Sequence, residues 1–366
     1  MPQCNLEKGK IVPWQLAMLI IGFLLGEPLL LPIGGIAGHD VWIAFFLSLA
    51  EALFLALIYI KLALRFQGKT LVEISTIVYG RYLGKLISIA YVWFFFHIGS
   101  LVLAVFSHFF TSCIYERTPG IVLIILTVLV CAFAVRNGIE VMARCSQILV
   151  PLITGTIFLD TLLLLKNWNL RNFLPVFEKP LTQILLASQE IVSLPLAESV
   201  VFLMIFPFLT NTKKMSKPFT ASLLFSWLVL LVYAARNIAI LGPSEEIYAY
   251  PTFQSLRLIN IFNFITRLEM FASISLLMMG FVKIITVFYG AVLGAAQVFG
   301  LKTYRVLIVP IGILMVILAT LNFGNISELN DGTKIAWPIY AFPFEIGIPL
   351  LTLIIAMIRK LPKEKL

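Results

Sequence analysis

Charge is what this chain has least of: Asp, Glu, Lys and Arg make up 12% of its 366 residues, while 60% are hydrophobic. So little polar surface cannot cover a water-soluble fold, and the solvent must largely be lipid. Histidine is scarce too, and the four cysteines, Cys4, Cys113, Cys131 and Cys145, show neither paired nor metal-ligand spacing. Neither a disulfide framework nor a zinc site is indicated. Also missing are a phosphate-cradling glycine loop, a nucleophile elbow and a metal cluster, so the chain is expected to be a non-enzyme without cofactor or metal. The formal charge of +9 is dispersed as Lys and Arg at the ends of apolar segments, which argues for a membrane surface and against nucleic acid.

What the chain does have is long apolar runs. A spanning helix needs about 20 mainly apolar residues. Such runs recur near 11–36, 41–62, 85–112, 119–136, 141–165, 184–209, 219–241, 264–299, 305–323 and 337–358. They predict an all-α membrane protein of about ten transmembrane helices forming a single transmembrane domain over 1–366. The first run lacks a small-residue cleavage site and others follow it, so it is expected to remain in the mature protein. With the N-terminus in the cytoplasm, Lys and Arg show a roughly three-fold excess on the cytoplasmic side, which places both termini inside. The mixed stretch 242–259 is too short and polar to span and reads as a partly helical external cap.

Five spans precede the sixth, so spans 1 and 6 run in opposite directions. The expected architecture is a 5+5 inverted repeat, about 11–165 and about 184–358. In transporters of that design the ligand site lies near mid-membrane, where spans 1 and 6 are broken. Matching interruptions are present: Gly22 and then Gly26, Glu27 and Pro28 in span 1, and Ser193, Leu194 and Pro195 followed by Glu198 in span 6. Proline removes a backbone donor and glycine relaxes steric limits, so each span is expected to unwind there. Unwound backbone is tolerated only where it lines a cavity or is buried in protein. Free N–H groups at the half-helix ends suit a carboxylate, and exposed carbonyls suit an ammonium. The structural alternative is a pair of proline kinks shaped for packing.

Charges at membrane depth cost roughly 2.5–3.5 kcal/mol on insertion scales, so each needs a partner or a purpose. Glu27 and Glu198 are candidates to hold a ligand ammonium, a cation or a coupling proton, or else to pair with a basic side chain. Lys283 lies in the middle of span 8, sharing roughly one face with Gly280, Thr286 and Gly290. It is placed to neutralise Glu198 or to fill a cation site; the small residues also suit a packing seam. His97 and His108 share a face of span 3, with Gly99 and Ser100 nearby to admit a ligand. A proton relay or plain hydrogen bonding to a neighbouring carbonyl both fit them. Asp160, Glu190, Arg236, Arg267 and Glu269 are explained by snorkelling or ion pairs, while Glu51 and Glu345 have no partner that sequence can name.

The segments VWIA (41–44), GKTLVEI (68–74), LGK (83–85), GIEVMAR (138–144) and LPVFEKP (174–180) continue with PLAESVVFLM (195–204), LGP (241–243), YPT (250–252), GFVKI (280–284) and GLKTYR (300–305). In this order and spacing the chain resembles the B subunit of bacterial spore germinant receptors, the endospore germination permeases. The resemblance covers nearly the whole length. It implies an amino-acid-permease-like fold of the amino acid, polyamine and organocation superfamily. It also implies a subunit that senses a small-molecule germinant, an amino acid in class, beside an A subunit and a C lipoprotein in the spore inner membrane. Glu198 falls in the proline-to-glutamate segment of that family's sixth helix, and Lys283 and Thr286 in its eighth-helix signature. Gln147, where an acidic residue is expected, and the polar Glu27 depart from the pattern and bear on ligand choice. The rival expectation is a proton-coupled amino-acid transporter.

Overall fold

A computed structural model describes residues 6–259, 268–322, 328 and 332–362. The elements among them are helical, and the one strand-like contact is an isolated bridge between Ile11 and Leu209. The helices are α1 (Pro13–Leu24), α2 (Val41–Arg65), α3 (Leu71–Tyr79), α4 (Arg81–Cys113), α5 (Gly120–Arg136), α6 (Ile139–Leu164), α7 (Leu181–Ile191), α8 (Ser216–Leu241), α9 (Pro251–Leu256), α10 (Leu268–Phe299), α11 (Ile308–Leu321), α12 (Trp337–Phe342) and α13 (Ile348–Ile358). Among the described residues, seven stretches are long and apolar enough to cross a membrane, and Pro13–Leu24, Gly120–Arg136 and Arg305–Leu321 are shorter apolar helices. The expected segments fall on these stretches. The start of span 8 at 264 and the end of span 9 at 323 lie outside the described residues.

Burial separates core from rim. In Leu181–Met204 and in Ser273–Phe299, 83% of the most apolar window is inside the protein, against 28% in Ile139–Asn167. The first two therefore form the centre, and they carry Glu198 and Lys283. Around them α4 packs along α10, and α1 lies between α6, α8 and α10. The α1–α10 contact depends on Gly22, where an added Cβ would stand 2.6 Å from Val282 Cγ1 and 2.8 Å from Val150 Cγ2.

Both expected interruptions are present. Pro13 suits the first turn of α1, where its missing N–H has no intrahelical partner to lose. The helix then runs 12 residues to Leu24, about 18 Å of rise and too short to span alone. Gly26, at φ −52° and ψ −114°, turns the chain into a single 3₁₀ turn, Glu27–Leu29. In span 6, α7 passes into a π-helical turn, Val192–Leu196, broken at Leu194 (φ −132°, ψ 104°), and resumes as a 3₁₀ helix, Ala197–Met204.

The last span is interrupted as well, by π-helical turns Gly332–Ala336 and Pro343–Gly347 on either side of α12. The cap is partly helical, with a 3₁₀ helix Gly242–Ile247 followed by α9. One element was not expected: α3, held by a capping box in which Thr70 N donates to Glu73 Oε2 (3.0 Å) and Glu73 N to Thr70 Oγ1 (3.3 Å).

The extended N-terminal segment is tied to the end of span 6. Ile11 N donates to Phe208 O and Thr210 N to Ile11 O, each at 2.9 Å. Lys10 N donates to Glu140 Oε1 (2.9 Å) and Lys10 Nζ to Pro207 O (3.2 Å). Glu7 Oε1 accepts from Gly9 N at 2.8 Å, and its Oε2 from Tyr304 Oη at 3.1 Å and Ile139 N at 3.3 Å.

Candidate functional site

The two breaks bring Glu27 and Glu198 onto one side chain from α10. Lys283 Nζ donates to Glu27 Oε1 at 2.6 Å and also pairs with Glu198 Oε2. It stands 5.1 Å from the centre of the Phe23 ring, near enough for a cation–π contribution. Lys283 is 0% exposed, Glu27 3% and Glu198 1%, so the charges are out of water and stand only through one another. Pairing leaves Glu27 Oε2 and Glu198 Oε1 without a hydrogen-bond partner.

Beside those two carboxylates lies a cavity of about 270 Å³. Glu27 and Leu31 from the first break and Leu194 and Glu198 from the second bound it. Its opposite wall is His97, Ile98, Leu101, Val102 and Val105 of α4, with Asn322, Gly332, Ala336, Trp337 and Tyr340 completing it. The rings pack into one wall: His97 stacks on Trp93 at 5.8 Å and meets Tyr340 edge-on at 5.2 Å, and Phe94 stacks on Trp337 at 5.9 Å and Phe344 at 4.5 Å. Among the buried polar atoms, His97 Nδ1 and Tyr340 Oη have no hydrogen-bond partner. The arrangement offers carboxylate oxygens, aromatic faces and an aliphatic floor, with no Lys or Arg among the described lining residues.

The carbonyls freed at the breaks are met by side chains from other elements, as buried backbone acceptors require. Trp337 Nε1 donates to Ser193 O (3.3 Å). Tyr59 Oη reaches Ala197 O (3.1 Å) and Glu345 O (2.7 Å), and Tyr91 Oη donates to Phe344 O (2.8 Å).

Of the residues singled out in the sequence, Glu27, His97, Leu194 and Glu198 line the cavity, and Lys283 stands behind the two carboxylates. Ser100 Oγ donates to His97 O (2.7 Å) and accepts from Asn322 Nδ2 (3.1 Å), one step behind the wall. Thr286 Oγ1 is turned to Val282 O within its own helix (2.7 Å). Gly22 and Gly290 sit at helix crossings, and Gly26 lies against the Lys283 stem, an added Cβ meeting Lys283 Cβ at 3.0 Å. Pro28 borders a separate void of about 20 Å³. Ser193 and Pro195 are in the broken backbone, with Ser193 Oγ donating to Glu190 O (3.2 Å).

Three other ionisable residues differ from expectation or gain partners. Glu51 accepts from Gln189 Nε2 (2.6 Å) and Ser188 Oγ (3.4 Å). Glu190 Oε2 accepts from Gly34 N (3.1 Å). Arg236 does not snorkel: it is fully buried, 3.8 Å over the Tyr233 ring, and donates to Asn237 Oδ1 at 3.1 Å. Arg267 and the side chain of Glu269 lie outside the described residues.

Sequence reasoning missed Trp337, Tyr340, Asn322 and the α4 row. The α4 row had a signal, since 98, 101, 102 and 105 follow His97 at helical spacing. The aromatic pair had none, because in a wholly apolar segment a ring facing lipid and a ring facing a cavity read alike.

Residues 10–325 match the model of the family described as Spore germination protein. The chain is 31% identical over 366 residues to Spore germination protein KB of Bacillus subtilis (strain 168), covering 98% of each chain. It is 25% identical to Spore germination protein YndE of the same organism, covering 96% of this chain and 98% of that one. Its fold is similar to that of MHP1, a nucleobase-cation-symport-1 family transporter solved closed with bromovinylhydantoin bound, with a TM-score of 0.70 at 11% identity, over 96% of this chain and 80% of that one. MhsT, solved in complex with L-phenylalanine, gives 0.70 at 13% identity, over 96% and 90%.

Proposed function

The chain belongs to the spore germination protein family, and from that membership and the cavity between its two chain breaks we propose that it is a nutrient-sensing membrane subunit of the germination apparatus. The observation that carries this reading is a 270 Å³ cavity bounded by Glu27 and Glu198, each with one carboxylate oxygen still unpartnered. Such oxygens in a dry site are strong acceptors for an ammonium group, and the neighbouring rings suit the apolar part of a small amine-bearing nutrient. An amino acid is the ligand class proposed. Glu27, Glu198 and His97 contact it, Leu194 shapes its wall, Ser100 supports that wall from behind, and Gly22, Gly26, Pro28, Ser193, Pro195, Lys283, Thr286 and Gly290 hold the surrounding backbone and charge.

The same proposal places the chain in the spore inner membrane with both termini on the core side, as two inverted five-span repeats. It acts as a non-enzyme and works with A and C receptor subunits. Binding alters the partners only if the ligand favours one state of this subunit over another. The test is titration of L-amino acids into the purified full chain by calorimetry, with Glu198→Gln beside it. Saturable binding is expected, weakened at least about ten-fold in the variant. Absence of binding to every amino acid tried, with partner subunits present, counts decisively against the reading.

A second reading, a proton-coupled amino-acid transporter, is favoured by the fold shared with transporters. Proteoliposomes separate the two. Binding without concentrative uptake in a pH gradient supports the sensor, and uptake supports the carrier.

A further inference from the structure

We infer that Lys283 is a tethered counter-cation: its ammonium fills a monovalent-cation site formed by Glu27 and Glu198, and removing the side chain uncovers that site for a free small cation.

The carboxylates come from two different elements, each at a chain break, and both are buried. Like charges held together away from water repel strongly, because little solvent screens them. A cation between them therefore favours closing both breaks onto α10. Lys283 supplies it from within the chain, with Nζ between the two carboxylates and near the Phe23 ring. The stem is accommodated too. It runs over Gly26, where a Cβ would lie 3.0 Å from Lys283 Cβ and 3.1 Å from its Cδ, so a larger residue at 26 would crowd the lysine.

An ammonium on a flexible four-carbon stem behaves as a compact point charge, and the oxygens it meets are the donors that hard cations take. Shortening Lys283 to alanine removes the stem and charge and leaves both carboxylates. The resulting slot has the length of a small alkylammonium ion with its charged end between the two glutamates.

The test reads thermal unfolding of the purified full chain in chloride salts of sodium, potassium, methylammonium, ethylammonium and choline at matched ionic strength. Choline serves as the ion too bulky for the slot. The wild-type chain is expected to unfold at the same temperature in sodium, potassium and choline. Lys283→Ala is expected to unfold earlier in choline and to recover saturably, by roughly 5 °C or more, with at least one of the smaller cations. That recovery should vanish when Glu27→Gln and Glu198→Gln are added.

A saturable response of the wild-type chain to sodium or potassium overturns the inference, as does a folded Lys283→Ala chain indifferent to all of the smaller cations. Should Lys283→Ala fail to fold in every salt, Lys283→Ala with Glu27→Gln keeps one carboxylate and gives the decision. Recovery at higher cation concentration supports the site, and indifference rejects it. Sodium and potassium carry the decision on the wild-type chain and no amino acid enters the measurement, so failure of the ligand assignment leaves this result standing.

Discussion

Removing the Lys283 ammonium leaves Glu27 and Glu198 facing each other inside the protein. Breaking a buried ion pair from one side costs about 3–5 kcal/mol, because the partner stays charged and dry. Replacing all its members by neutral groups of similar size is often close to neutral. Lys283→Met is therefore expected to lower the unfolding temperature sharply in choline chloride, and the triple variant Lys283→Met, Glu27→Gln, Glu198→Gln to regain most of the loss. Equal instability of the single and triple variants would show that the lysine matters through its packing rather than its charge. Glu198→Gln alone leaves Lys283 paired with Glu27, so it should cost less than Lys283→Met. Under the proposed amino-acid site, its main effect falls on ligand affinity.

Helices in this chain are set by apolar length, which composition displays, and by a few small residues at crossings, which it displays less well. Gly-Glu-Pro and Ser-Leu-Pro announced both breaks because their backbone chemistry is local. Thr70-x-x-Glu73 announced α3 in the same local way, though α3 went unread inside a loop between two spans. The aromatic wall of the cavity stayed hidden, since Trp337 and Tyr340 owe their inward direction to the packing of α12 against α4 and α7. Glu198 was legible as a partner for Lys283, but Glu27 as the second partner was not: offsets along one helix fix a face, not the helix opposite.

Gly22 gives a test at this scale. Its α1–α10 crossing has no room for a methyl group, with Val282 Cγ1 and Val150 Cγ2 under 3 Å from the Cβ position. Gly22→Ala is expected to destabilise by about 1–3 kcal/mol through overpacking. Combining it with Val282→Ala should cost less than the sum of the two single changes by at least about 0.5 kcal/mol. Simple additivity in thermal unfolding would mean that the crossing yields elsewhere.

For the molecule as a whole, the extended N-terminal segment ties several elements together. Glu7 alone links the start of α6, through Ile139 N, to Tyr304 beyond α10, while Ile11 is sewn to the end of span 6. The candidate cavity is bounded by Asn322, at the opposite end of span 9, and by Gly332, so the N-terminal segment lies at one face while the cavity lies towards the other. A ligand changes such a two-state balance only by its differential affinity, and a mutation that loosens one face shifts the same balance without ligand. Glu7→Ala removes the acceptor of both ties but touches neither the ion pair nor the cavity. Hydrogen exchange should then quicken at least about ten-fold at the amides of Ile11, Ile139 and Thr210, which local opening exposes, while the central turns of α4 and α10 stay protected. If exchange at those three amides is unchanged, the strand is bound to the surface rather than holding it shut. The closure of that face must then reside in the packing of α1 against α6 and α10.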